Sequence, residues 1–203
     1  MKDLCSEKLR LIPFDGKSDA HAKRLYHQRI GCGWAEDEIE AWRVKHEKGE
    51  KGLFWLVLQD GVPGRDKLME DHSIKYPEEK ELLKDSSISV LGLERTATNQ
   101  DFDTIGHIAV ERRPATDKEL GFPADEVAWI TSLYISFAMQ HLGLGRDVMN
   151  IVEKFLTREP LNARTAALDT MDKKMQLSPL MTRLIYEVRG HKIPAVLRSN
   201  EEW

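Results

Sequence analysis

Gln140, Gly143 and Gly145 are spaced Q-x-x-G-x-G, and Arg146 follows directly. Glycines at that spacing let a backbone curl tightly and approach a ligand closely. If a helix starts there, its first N–H groups lack intrahelical partners and its dipole adds partial positive charge. Such a turn suits a phosphate or diphosphate, and Arg146 can add a charge-assisted contact. Two other phosphate loops are excluded. The dinucleotide fingerprint lacks its third glycine, since Val148 stands at that position, and no G-x-x-x-x-G-K-[ST] run exists. A second set of residues could move protons. Glu111, Glu126 and Asp125 fall at predicted strand ends, and Asp169 closes a later strand. His107 lies inside a strand pattern, and Tyr134 and Tyr186 carry phenols. Each also has a purely structural reading, as a solvated carboxylate, a hydrogen-bonded histidine or a packed aromatic.

The elements around the glycines read clearly. Val127 to Met139 is long, apolar and rich in β-branched and aromatic residues, which predicts a mostly buried strand. Val148, Ile151, Val152, Phe155 and Leu156 recur at helical spacing, which predicts an amphipathic helix. Upstream, Lys8 to Asp15 is a candidate first strand. Ser18 can cap a helix with Ala22, Leu25, Tyr26 and Ile30 as its apolar face, stopping near Gly31. A second helix is expected over 35–46, with Ile39 and Trp42, and a strand over Leu53 to Gln59. The charged stretch 60–87 reads as a surface insertion with a short helix around Glu78 to Lys84. Ile88 to Glu94 and Thr104 to Glu111 read as a hairpin, and 112–126 as a loop. Later come a strand over Arg164 to Asp169 and a helix from Ser178, with Met181, Leu184, Ile185 and Val188 inward and Gly190 as its stop. His191 to Leu197 reads as extended. The order is an α/β (α+β) mixture around a mostly antiparallel sheet.

At 203 residues, 41% hydrophobic and 32% charged, the chain reads as a single domain over 1–203. A net charge of −4 argues against a general nucleic-acid surface. Cys5 and Cys32 lack metal-ligand spacing, and no run approaches the ~20 apolar residues of a membrane span. The start M-K-D-L-C-S-E-K-L-R has charges where a signal peptide needs an apolar core. These readings predict a cytoplasmic protein with no metal, nucleic-acid or membrane partner.

The strand, the Q-x-x-G-x-G turn and the helix together resemble the acyl-CoA loop of the GNAT superfamily of N-acyltransferases, written [QR]-x-x-G-x-[GA]. The element order from Leu9 to about Thr170 is similar to the GNAT architecture as well. That resemblance implies acetyl-CoA as acyl donor and an amine of a small molecule or peptide as acceptor, joined by direct attack in a ternary complex. It implies that backbone groups of Leu133 and Ile135, beside Tyr134, hold the pantetheine arm. It places the diphosphate on N–H groups from Gln140, His141, Leu142, Gly143 and Leu144 through Gly145 and Arg146. Glu111 and Glu126 become candidate bases and Tyr186 a candidate acid. The alternative is a non-catalytic acyl-CoA-binding module of the same fold.

The chain end departs from the pattern. Many relatives carry Tyr-Glu-x-x-Gly after the fifth strand, then two closing strands. Tyr186-Glu187-Val188-Arg189-Gly190 keeps that spacing. Ser199-Asn200-Glu201-Glu202-Trp203 instead resembles the start of that helix in fungal GNAT-like proteins. The second match is favoured. It implies that the closing strands and their tyrosine are missing, and that another copy, in a homodimer, could complete the sheet.

Overall fold

A computed structural model describes residues 4–139, 142–183 and 186. The chain divides into two compact units, Met1–Ala167 and Leu168–Trp203. The first unit is built on a five-stranded sheet. Its strands are β1 (Leu9–Pro13), β2 (Lys51–Leu58), β3 (Gly106–Glu111), β4 (Val127–Ile135) and β5 (Thr165–Leu168), in that spatial order. The pairs β1–β2, β2–β3 and β3–β4 are antiparallel. The N–H groups of Arg164 and Thr165 both donate to Glu126 O. That puts the start of β5 beside the start of β4, so the two run parallel.

β2 shows why the sheet forms. Its run K-G-L-F-W-L-V-L is buried at every position, as a central strand covered on both faces must be. Phe54, Leu56 and Leu58 join one core with Val148, Ile151, Val152 and Leu156 of helix α5 (Leu144–Leu156). Leu53, Trp55 and Val57 join another with Leu25 of α1 (Asp19–Cys32) and Ile39 and Trp42 of α2 (Ile39–Glu47). The alternation of side chains along one strand thus supplies both cores.

Three expectations need correction. The inward face of α1 is largely polar: His21, Arg24, Gln28 and Arg29 are buried beside Ala22 and Leu25, while Tyr26 and Ile30 are exposed. The helix also runs through Gly31 and ends at Gly33, which takes a left-handed φ of 81° and caps Arg29 O and Ile30 O. Gly31 stays inside because a Cβ there would meet Tyr134 Oη at 3.3 Å. Second, the charged stretch contains a full helix, α3 (Arg65–Lys75), with His72 buried; only a short turn, Pro77–Glu79, falls near the helix expected around Glu78. Third, Ile88 to Glu94 does not pair with β3. It turns on itself at Leu91 and Gly92, both at positive φ, so that Ser89–Val90 faces Leu93–Glu94. β3 pairs with β2 instead, and Leu91 packs over Gly52, where a Cβ would lie 2.7 Å from Leu91 Cγ. The expected loop at 112–126 holds one short helix, α4 (Pro114–Glu119).

In the second unit, Asp172 caps a turn of helix over Lys173–Gln176 and Ser178 caps Pro179–Thr182. The rest of the predicted last helix, apart from Arg183 and Tyr186, and both His191 to Leu197 and Ser199 to Trp203 lie outside the described residues.

Candidate active site

β4 is interrupted where it passes β3. Ala109 faces Thr131 and His107 faces Tyr134, so Ile108 alone opposes Ser132 and Leu133. This is a β-bulge, and Ser132 takes φ 54° within it. A non-glycine residue at positive φ is held there by its surroundings, and such bulges re-aim the backbone next to functional sites. β4 has nine residues and β5 four, so about the last five of β4, Thr131 to Ile135, run past the end of β5. No described strand pairs with that edge. Among the described residues its backbone donors and acceptors have no strand partner, which is the arrangement an extended ligand can pair with.

A cavity of about 570 Å³ opens at the bulge, with Trp42, Lys51, Glu111, Arg113, Thr131 and Ser132 in its wall. Lys51 and Glu111 are cross-strand partners at the ends of β2 and β3. Lys51 Nζ donates to Glu111 Oε2 at 2.7 Å and to Thr131 Oγ1 at 3.1 Å. Arg113 Nε donates to Glu111 Oε1 at 2.7 Å. These two cations hold the Glu111 carboxyl below its ordinary range against the opposing effect of burial. Burial lowers Lys51 in turn. The Trp42 ring lies 4.9 Å from Lys51 Nζ and 5.2 Å from the Arg29 guanidinium, and its Nε1 donates to Glu38. Lys51 is thus fixed by a carboxylate, a hydroxyl and an aromatic face.

At the far end of β4, Gly143 sits at φ 75°, ψ 7° and starts α5 without a side-chain cap. The first intrahelical bond is Asp147 N–H to Gly143 O. The N–H groups of Leu144, Gly145 and Arg146 therefore have no intrahelical acceptor. Among the described residues a Cβ on Gly145 would meet only Ile135 Cδ1, at 3.9 Å, so their packing does not demand glycine there. Lys8 reaches this end from the edge of the sheet, 3.3 Å from Asp147 Oδ2 and 3.5 Å from Leu142 O. Gln140 and His141 lie outside the described residues.

The other candidates are dispersed. Glu126 stands six residues before Ser132, roughly 20 Å along the strand, with Arg164 3.5 Å from its carboxylate. Asp125 is exposed in the turn before β4. Tyr134 is buried with its hydroxyl raised far above the phenol range by desolvation, and packs edge-on to Phe137. His107 is sealed and held neutral by burial, its Nδ1 bonded to Gln28 Oε1 at 2.8 Å. Asp169 and Tyr186 belong to the second unit, where Tyr186 is half-buried. Among the described residues no group of His, Cys, Asp and Glu could hold a metal ion, and no helix is long and apolar enough to cross a membrane.

No family model matches the sequence, and a comparison with curated proteins finds no match. Solved structures give distant likenesses. An aminoglycoside N-acetyltransferase, AAC(6')-Iy in complex with CoA, is 12% identical over 95% of this chain and 93% of its own, with a TM-score of 0.47. NAA60 of Arabidopsis thaliana with a bisubstrate analogue is 12% identical over 87% and 83%, also at 0.47. RimL, a ribosomal L7/L12 α-N-protein acetyltransferase, is 12% identical over 88% and 77%, at 0.43. The chain's own order of elements is the antiparallel β1–β4 followed by α5 and the parallel, shorter β5. It is the order that the resemblance to the GNAT acyltransferases implies.

Within this fold, sequence reasoning found the glycine-started helix and Glu111 but missed most of the cavity wall. Lys51 and Arg113 are not among the expected site residues, and Trp42 enters only as an apolar residue of the second helix. One signal was present: a lysine directly before the apolar run L-F-W-L-V-L, level with a glutamate directly after H-I-A-V. Only the β2–β3 register makes them partners.

Proposed function

We propose that the protein is an acetyl-CoA-dependent N-acyltransferase acting on an amine of a small molecule or peptide. The observation that carries this reading is the junction at Ser132: the open edge of β4, the helix start at Gly143 and the cavity all lie along one strand. In this reading the pantetheine arm pairs with the backbone of Leu133 and Ile135 beside Tyr134. The diphosphate rests on N–H groups of the turn, with Arg146 and Lys8 as nearby cations.

The acceptor amine enters the cavity over Trp42 and attacks the thioester carbonyl. The C–N bond forms first, giving a tetrahedral adduct; its collapse breaks the C–S bond, and the thiolate takes a proton from solvent. A backbone N–H at the bulge stabilises the oxyanion. Glu111, engaged by two cations, is a poor proton acceptor; its task in this scheme is to hold Lys51 and Arg113 in the wall. The amine loses its ammonium proton to water before the attack, so the pH profile follows the amine's own titration, and its second proton passes to solvent once the C–N bond has formed.

Calorimetry with acetyl-CoA tests the binding half. No heat at ~1 mM, about −4.1 kcal/mol of affinity, removes the reading. Thiol release with a panel of amines tests the chemical half; binding without release leaves the non-catalytic acyl-CoA module.

A further inference from the structure

A chain of buried polar groups crosses the first unit between the cavity wall and the end of β4. The Arg29 guanidinium, over Trp42, has Nη1 3.5 Å from His107 Nε2. His107 Nδ1 meets Gln28 Oε1 at 2.8 Å, and Gln28 Nε2 donates to Glu79 Oε2 at 2.7 Å. Glu79 Oε2 lies 3.7 Å from His72 Nε2, and His72 Nδ1 is bonded to Ser136 Oγ at 2.8 Å. His72, Glu79, Gln28, His107 and Ser136 are each 1% exposed or less.

Ser136 is where β4 ends. Its N–H donates to Ile105 O, its carbonyl accepts Met139 N–H, and its hydroxyl accepts Ala138 N–H at 3.3 Å. It therefore sets the Phe137–Met139 turn, from which the chain proceeds to Gly143. α3 packs on the same turn, with Lys75 Nζ 5.6 Å from the Phe137 ring. Nothing else in α3 reaches so deep: His72 is its one buried residue.

We propose that His72 is a positioning residue: through Ser136 it fixes the turn that aims the glycine helix start, and with it the diphosphate seat. Burial holds His72 neutral, with its pKa lowered to about 4, so the bond to Ser136 persists at neutral pH. A neutral ring with one nitrogen on a hydroxyl is a rigid strut rather than a proton carrier. The seat's ligand rests on the acyl-CoA reading, but the strut itself does not.

The test uses the whole chain and the variants His72→Leu, His72→Asn and Ser136→Ala. Asparagine can place an amide atom where Nδ1 stands; leucine cannot. Amide hydrogen exchange of the free protein is measured over Phe137–Met139 and Leu142–Asp147. His72→Leu should speed exchange there by about five- to tenfold, the loss of one buried hydrogen bond, and Ser136→Ala, which also gives up the Ala138 N–H contact, by at least as much, with β2 and β3 unchanged. The double variant should add little, and His72→Asn should stay close to wild type. The KM for acetyl-CoA should rise by a similar factor while kcat and the amine KM hold. Unchanged exchange in Ser136→Ala, which removes one oxygen and should fold, overturns the strut. Faster exchange with an unchanged acetyl-CoA KM overturns its link to the seat. A wild-type chain that binds no acetyl-CoA sinks the functional reading instead, and the exchange data still decide the strut.

Discussion

Lys51 and Glu111 face each other across β2 and β3, 2.7 Å apart, at the base of a cavity that both help to line. Both side chains are nearly withdrawn from water, at 4% and 10% exposure. Removing one partner of such a pair strands the other. Glu111→Ala leaves a buried ammonium with only Thr131 and the Trp42 face, and should cost roughly 3–5 kcal/mol. Lys51→Met leaves Glu111 with Arg113 and should cost less. The double variant should cost less than the two singles together. Urea unfolding of the three variants measures this. The folded pKa of Glu111 is depressed, so its contribution is present above the ordinary carboxylate range and is lost as pH falls through its folded value.

The two glycines of the turn should fail differently. Gly143 needs its left-handed backbone, and Gly143→Ala should cost about 1–2 kcal/mol of stability. Gly145 has ordinary room around it, so Gly145→Val should keep most of the stability and lose acetyl-CoA binding by filling the seat. Thermal melting and calorimetry on the same samples separate the two effects.

Glu79 predicts a pH dependence. Desolvation raises its folded pKa to about 7 from 4.5, so the folded state prefers the protonated form. Its stabilising contribution is complete below 4.5 and is lost as pH rises through about 7, on the order of 3 kcal/mol. His72 works the other way, losing stability as pH falls from 6.5 to about 4. Glu79→Gln removes only the first effect. The variant should match wild type near pH 4 and exceed it at pH 8; a constant difference across that window would contradict the assignment.

Gly106 should tolerate no side chain. A Cβ there would lie 2.1 Å from Tyr134 O, a backbone atom of β4. Gly106→Ala must push β3 and β4 apart beside the bulge, at roughly 3 kcal/mol. Chemical denaturation reads the loss.

β2, β4 and α5 were legible because burial there coincides with apolarity: L-F-W-L-V-L can only be interior, and the α5 face repeats at helical spacing. The inward face of α1 was not, although His21, Arg24, Gln28 and Arg29 share the same spacing; only their partners in α3 and β3 make them burial-competent. α3 hid for the same reason, its charges concealing one buried histidine. Ile88 to Glu94 alternates as a strand does, and a hairpin turning at Leu91 has the same pattern. Of the site, the glycine turn was readable because its contacts come from backbone. The cavity wall was not, because it depends on which strands become neighbours.

The run of hydrogen-bonding groups from Arg29 to Ser136 constrains how this sequence can drift. Gln28 bonds both His107 and Glu79, so its lone replacement leaves two buried groups short of a partner. Neutral change along that path must come as coordinated pairs, whereas the solvent-facing side of α1, at Tyr26 and Ile30, is free to vary residue by residue.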